Sequence, residues 1–354
     1  MKTLKLAHKV SFTLLLSLLF VSCGGGSSKK STETPKTDIT NSSNNPTPTQ
    51  TTSKNTLPSN LNGLLVFKRT DGVLGDAPIS VVSFRLKDGK LIKERTIASG
   101  KHAYAHPNKQ IMVGEACSSS IDTRITILET NGLMKPITAC SDTMDSGSKY
   151  RSFIVFDMAK LSPDSTKLAV EAHYYCSSKL HYQTIVFNID GTELVRHDNM
   201  ANPEWHPDGR LLLSPSGAGK DRDGIYLTDA SLMQLNRIDK NQVNTRTYQH
   251  DISPDGTRIA FNMNQQLWMM DIDGNNLHEL LVEGAVLQYP TWSPDGKYIA
   301  YLSSDTSGGF LHTVSFLELA SHTISRVNTD TFMEPSVYGT YTWVRPKGPL
   351  SWIE

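Results

Sequence analysis

The chain has 354 residues, with 35 Lys plus Arg against 35 Asp plus Glu, giving a formal net charge of zero. Nucleic acid and anionic membrane surfaces both demand a basic excess, so this balance excludes them as main partners. With 38% hydrophobic residues the chain is long enough to bury a real core, in one large domain or two ordinary ones.

The start of the chain is not part of that core. Lys2, Lys5 and Lys9 precede an apolar run from Phe12 to Val21, broken by Thr13 and Ser17. The run is too short to span a bilayer but suits the apolar region of a signal peptide. It ends in Leu-Phe-Val-Ser-Cys, Leu19 to Cys23, followed by three glycines. This resembles the bacterial lipobox, which implies that residues 1–22 are a lipoprotein signal peptide and that Cys23 is lipidated. Several acyl chains together anchor a protein durably, whereas one binds marginally. Gly24 is not the aspartate associated with inner-membrane retention, so the same resemblance places the anchor in the outer membrane, facing the periplasm.

Residues 23–60 then hold the lipidated cysteine and a segment dominated by Ser, Thr, Asn and Pro. Such a composition cannot bury enough apolar surface to offset ordering entropy, and is read as a disordered tether. Three cysteines remain: Cys117, Cys140 and Cys176. An oxidising compartment favours one disulfide among them, with Cys140–Cys176 or Cys117–Cys140 as the leading pairs.

From residue 61 to 354 the organisation is repetitive. WSPDGKYIAY starts at Trp292, ISPDGTRIAF at Ile252, WHPDGRLLLS at Trp205, LSPDSTKLAV at Leu161 and a degraded AHPNKQIMVG at Ala105. The prolines Pro107, Pro163, Pro207, Pro254 and Pro294 are 56, 44, 47 and 40 residues apart. Periods of about 40–50 residues with four short strands each mark propeller blades. In each corner proline presets the second turn position, with Asp and Gly third and fourth. Pro163 with Asp164, Pro207 with Asp208, Pro254 with Asp255 and Pro294 with Asp295 are therefore structural turns. Two residues before each proline an apolar side chain should enter the blade interface. After the turn comes an apolar strand such as KYIAYL, then a strand ending in a second turn such as DIDGNN, then a fourth strand.

GLLVFKR…ISVVSFRLKDGKLIKERTIA supplies a second, third and fourth strand with no proline turn before them, and TYTWVRPKGPLSWIE offers the missing strand, with Trp343 in nearly the anchor's relation to Pro346. Closing the ring with strands from both ends removes exposed sheet edges and gives an all-β, six-bladed propeller. A seventh blade would follow if PLSWIE formed further structure of its own. SPDG, an apolar strand and a DxDG-like turn together resemble the TolB-type β-propeller repeat. That resemblance implies a cell-envelope propeller whose common use is binding. The Tol translocation proteins themselves are soluble and carry an α/β domain before the propeller, so the implied kinship is of fold.

Chemistry is sparse. No GxSxG elbow occurs. SGAGKD, Ser216 to Asp221, lacks the first glycine of a phosphate loop and has Asp where a Ser or Thr should meet magnesium. DIDGNN and KDRDG lack the later bidentate carboxylate of a calcium loop. Of the histidines in or near blades (His102, His106, His173, His181, His206 and His250), His106 and His206 share the position before the turn proline, where other repeats have serine. That equivalence reads as a repeated turn position, and no metal or other cofactor is expected. What is specific to this protein should lie where repeats differ. Three residues before each turn proline stand Tyr104, Lys160, Glu204, Asp251 and Thr291. If the first strands line the central channel, these residues form a mixed candidate binding ring on its wall.

The expected function is a lipid-anchored module binding envelope proteins, touching the membrane through its anchor alone and having no enzymatic activity. The alternatives are a lyase or hydrolase acting on an envelope saccharide or peptide, favoured by a buried cluster of His with Asp or Glu in the channel, and a mainly structural envelope component.

Overall fold

The computed structural model describes residues 52–54, 56–71, 79–99, 103–108, 110–116, 123–128, 134–138, 151–176, 179–216, 223–240, 242–281, 285–304, 312–327, 333–335 and 341–354. Among them the strands form six sheets, each built on four antiparallel strands, with a fifth strand added to two of them, and no helix occurs. Blade one pairs the C-terminal strand Tyr341–Ile353 with Gly63–Asp71, Ile79–Lys87 and Lys90–Ser99. Blades two to six start with the inner strands Ala103–Ala105, Arg151–Leu161, Met200–Trp205, Thr247–Ile252 and Val286–Trp292. The fold is a six-bladed β-propeller whose ring is closed by strands from both ends of the sequence. PLSWIE lies largely within the closing strand, which settles the blade number at six.

Apolar packing explains the ring. There are six buried clusters among the described residues, each joining two neighbouring blades. Trp292, Ile299 and Tyr301 of blade six, for example, pack against Leu267 and Met269 of blade five. Phe316 of the same blade meets Trp352 of blade one on its other side, edge to face at 5.3 Å. A second strand is therefore sandwiched on both faces. All seven residues of Tyr298–Ser304 are buried, which is why KYIAYL reads as a continuous apolar run and not as an alternation.

The turns have a common construction. In the last repeat Gly296 N–H donates to Ser293 O at 2.9 Å, Ser293 Oγ donates to Asp295 Oδ1 at 2.7 Å, and Tyr298 N–H donates back to Ser293 Oγ at 2.9 Å. Ser162/Asp164 and Ser253/Asp255 repeat this pattern at 2.6 and 2.5 Å. Those serine hydroxyls are the chief reason that Asp164 and Asp255 are held down at about 2. His206 replaces the serine by accepting the Asp208 N–H on Nδ1 at 3.2 Å, and His106 does the same for Asn108 at 3.3 Å. The His206 ring then reaches the next blade, with Nε2 bonded to Gly256 O at 3.0 Å. Gly256 has φ +74°, and a Cβ there would lie 2.8 Å from His206 Nε2, so only glycine fits under the ring.

Two details differ from the sequence reading. The anchor of the closing strand is Trp352, not Trp343: Trp352 pairs with Leu65 as Trp292 pairs with Ile299 and Trp205 with Leu211. The next strand of that blade, Gly63–Asp71, is supplied from the start of the ring. Second, part of the segment assigned to the tether has regular structure. Thr52–Lys54 adds in parallel to Thr323–Arg326, the outer strand of blade six. Leu57 and Leu61 then pack into the cluster between blades six and one. Composition missed this because, among the described residues of that segment, Leu57 alone joins the cluster, Leu61 being the first residue assigned to the propeller. Residues 1–51 lie outside the described residues, and so do the signal-peptide and Cys23 expectations.

Candidate binding site at the channel mouth

Register places one residue of each inner strand in an equivalent position. Tyr104 pairs with Met112, Lys160 with Ala169, Glu204 with Leu212, Asp251 with Ala260 and Thr291 with Ala300. Blade one supplies Ser351, paired with Val66. All six line a single cavity of about 420 Å³ at the proline-turn end of the channel. Ser351 was missed in the sequence because no proline marks its position. The usable signal was the string Leu-Ser-Trp, which matches Pro-Thr-Trp at residues 290–292.

The walls come from the anchors. Trp205, Trp292 and Trp352 line the same cavity, and each indole N–H is held by a backbone carbonyl. Trp205 Nε1 donates to Lys160 O at 2.8 Å and Trp292 Nε1 to Asp251 O at 3.1 Å, in both cases across a blade interface. These bonds satisfy the one polar atom of a buried ring and orient it. The rim is built by the turn prolines Pro107, Pro163, Pro207, Pro254 and Pro294.

Charge is concentrated on three adjacent blades. Lys160 Nζ donates to Glu204 Oε2, lies 3.9 Å from Asp251 Oδ1, and sits 4.5 Å from the centre of the Tyr104 ring. Side-chain exposures of 15%, 12% and 18% for Lys160, Glu204 and Asp251 place the group mostly out of water. Burial pulls the Lys160 ammonium down to about 8, with Asp251 acting in the opposite direction. Burial likewise pushes the Asp251 carboxyl up, against the pull of Lys160 and of the Trp292 N–H that it accepts at 2.6 Å.

Two residues earlier on these strands the chain bulges. Met158, Asn202, Gln249 and Tyr289 have φ of 23°, 54°, 56° and 53°, each five residues before a turn proline. A bulge frees a backbone N–H from its ladder. Three of these donors are capped by the preceding blade. Glu171 Oε2 accepts Asn202 N–H at 2.7 Å, Asn202 Oδ1 accepts Gln249 N–H at 3.1 Å, and Gln249 Oε1 accepts Tyr289 N–H at 2.8 Å. The result is a relay of side chain to backbone from blade three to blade six.

Other candidates fall elsewhere. His173 Nε2 is 2.6 Å from Glu171 Oε1, so this His–Glu pair shares its carboxylate with the relay. His250 is buried in its blade interface against Phe261, bonded to Thr247 Oγ1 at 3.0 Å. Among the described residues no three His, Cys, Asp or Glu side chains are grouped to hold a metal ion. Cys117 and Cys140 lie outside the described residues, and with them both disulfide expectations, as do the loops that carry them.

No protein-family model matches the chain. Over 99 residues, 26% of this chain, it is 35% identical to the Tol-Pal system protein TolB of Anaeromyxobacter dehalogenans. The propeller is TolB-like. The match spans 21% of that relative's length, so the likeness is to the repeat and not to the whole of TolB. Solved structures share the fold at low identity. TolB from Acinetobacter baumannii aligns at 14% identity over 82% of this chain and 83% of its own, with a TM-score of 0.48. Hydrazine synthase of Kuenenia stuttgartiensis aligns at 10% identity over 82% of this chain and 47% of its own, with a TM-score of 0.51. These likenesses to the TolB-like propeller are of fold alone.

Proposed function

We propose that this chain is a lipid-anchored protein of the bacterial cell envelope whose channel mouth binds a segment of a partner protein. In this reading residues 1–22 are removed, Cys23 carries the acyl chains in the outer membrane, and the following residues tether a periplasmic propeller. The observation that carries the binding role is the convergence of six unlike side chains, one per blade, on one aromatic-walled cavity. Its central charges pair with one another, as suits recognition and leaves no evident nucleophile and base for catalysis. The local likeness to a Tol-Pal system protein supports an envelope setting and a protein partner.

The test is photo-crosslinking in intact cells from a probe at Asp208 or Asp295 on the rim, against a probe at Leu194, which is exposed on the outer strand of blade three. A discrete envelope protein captured from the rim and not from Leu194 is the expected result. Equal capture from both positions would rule the reading out. Mass measurement of the mature N-terminus checks the anchor: an unprocessed signal sequence would refute lipidation at Cys23.

A further inference from the structure

We infer that the partner segment bound at the channel mouth is extended, leaves the mouth across blade one, and continues along the seam between blades six and one, where an acidic side chain of the partner meets Lys87. This rests on the protein-binding reading of the mouth and adds the path, conformation and charge of what enters it.

The seam that closes the ring holds a second cavity, of about 530 Å³. Its walls are the Ser293, Pro294 and Asp295 corner of blade six, residues 60–63 ahead of and opening the second strand of blade one, and residues 85–87 at the end of the third. Pro294, Trp352 and Glu354 line this cavity and the mouth alike, so the two adjoin across them.

Topology puts the passage there. In blades three to six the inner strand turns directly into the second through a proline corner, closed by one backbone bond of 2.8 or 2.9 Å. In blade one the inner and second strands, Tyr341–Ile353 and Gly63–Asp71, are not consecutive. Trp352 Nε1 donates to Asn62 O at 3.0 Å, and the two cavities meet beside that bond. A saddle of one proline ring and one indole suits a single extended chain, whereas a helix with its side chains is about 10–12 Å across. From the closing strand to Ile79–Lys87 is two strand spacings, about 10 Å or three extended residues.

The lining suits a polypeptide. Asn60 and Asn62 present carboxamides, which both donate and accept as peptide groups do. They are held in place: Asn60 Nδ2 donates to Tyr298 OH at 3.0 Å, that hydroxyl donates to Glu318 Oε1 at 3.2 Å, and Asn62 Nδ2 donates to Asn60 O at 3.0 Å. A wall fixed in advance lowers the ordering cost of binding. Charge then sets the register. Arg85 is paired with Glu94, and Asp295 with Lys297 at 3.2 Å. Lys87, exposed at the outer end of the groove, has no ion-pair partner among the described residues. An acidic side chain about three residues beyond the mouth meets that ammonium, whereas a basic one there faces Lys87 and Arg85 together.

The experiment uses the full chain in intact cells, with a photo-crosslinking probe at Lys87 or at Asp190. Phe84 and Phe187 pair with equivalent residues of their second strands, Leu65 and Leu168, so Asp190 holds in blade three the place of Lys87 in blade one. Both are exposed. Lys87 and the rim position Asp295 should capture the same envelope protein, with both crosslinks mapped by mass spectrometry to one stretch of it, within about six residues at ~3.3 Å each. Asp190 should capture none of it. Lys87→Glu should cut capture from the Asp295 probe, and Lys87→Arg should keep it. Capture from Asp295 but not from Lys87, equal capture from Lys87 and Asp190, or a yield that Lys87→Glu leaves unchanged would overturn the inference and leave the protein-binding reading intact. A Lys87 crosslink to a second copy of this chain, or to a stretch of the partner remote from the Asp295 crosslink, would overturn it as well. Capture from Lys87 with nothing captured from Asp208 or Asp295 would overturn both.

Discussion

The side-chain oxygen of Asn202 accepts the backbone N–H of Gln249 in the next blade at 3.1 Å, while its own N–H is capped by Glu171 of the previous blade. Asn202 thus links three blades through one bulge. Its φ of 54° adds a conformational reason for asparagine, which tolerates the left-handed region better than most residues.

Replacing it separates the two roles. Asn202→Ala leaves the Gln249 donor uncapped and strains the backbone, at about 1–3 kcal/mol for the donor and ~1 kcal/mol for the strain. Asn202→Gly keeps the backbone conformation and loses the side-chain bonds, the cap on Gln249 and the 3.1 Å donation from Nδ2 to Ser214 Oγ. Urea denaturation should therefore rank wild type above Gly above Ala in midpoint. An alanine variant as stable as wild type would show that the relay adds nothing to stability.

Lys160 holds together the charges of three blades. Lys160→Met leaves Glu204 and Asp251 buried without their cation, which costs about 3–5 kcal/mol where a buried pair is broken on one side. Adding Glu204→Gln and Asp251→Asn to the same variant should restore much of that loss, because the uncompensated charge is gone. Thermal melts of the single and triple variants check this, and a triple variant less stable than Lys160→Met would contradict it.

His250 sets an acid limit to stability. Burial, with Lys160 adding to it, lowers its pKa from 6.5 in the unfolded chain to about 4 in the fold. Between those values the unfolded state binds the extra proton, so the contribution is complete above pH 6.5 and is lost as pH falls towards 4. The change is on the order of 3 kcal/mol, at ~1.4 kcal/mol for each tenfold difference in proton affinity between the two states. Asp164 and Asp255, held at about 2, lose their contribution only below the ordinary carboxylate pKa. A His250→Gln variant should show a flatter stability profile between pH 6.5 and 4 and an unchanged one below. Parallel profiles for the two proteins would exclude His250 as the cause.

The parallel pairing of Thr52–Lys54 with Thr323–Arg326 covers the outer edge of blade six. Removal of residues 1–55 should expose that edge and loosen the seam that Leu57 and Leu61 help to fill. Hydrogen exchange at the amides of 323–326 should accelerate while that of Tyr298–Ser304 stays slow. Unchanged protection at the edge would mean that the added strand contributes nothing.

Much of the fold could be read in the chain, because a propeller repeats its corner. Ser-Pro-Asp-Gly at 293–296 and its copies encode a turn by local rules: proline for one dihedral, glycine for another, and a Ser–Asp bond to brace them. The apolar anchors at Leu161, Trp205, Ile252 and Trp292 follow from the same count, as does closure by strands from both ends. Local chemistry suffices for such features because each acts within a few residues of itself. Tyr104, Lys160, Glu204, Asp251 and Thr291 could likewise be picked out as one position in a repeat. Their meeting in one cavity, the sixth member Ser351, the pairing of Lys160 with Glu204 and the relay through Asn202 and Gln249 were decided only by tertiary structure. These contacts join residues about 40 or more positions apart, and their distances depend on how six packed interfaces bend the sheet into a ring. A repeat specifies its own blade; charges and freed donors on different blades find their partners only once the ring has closed.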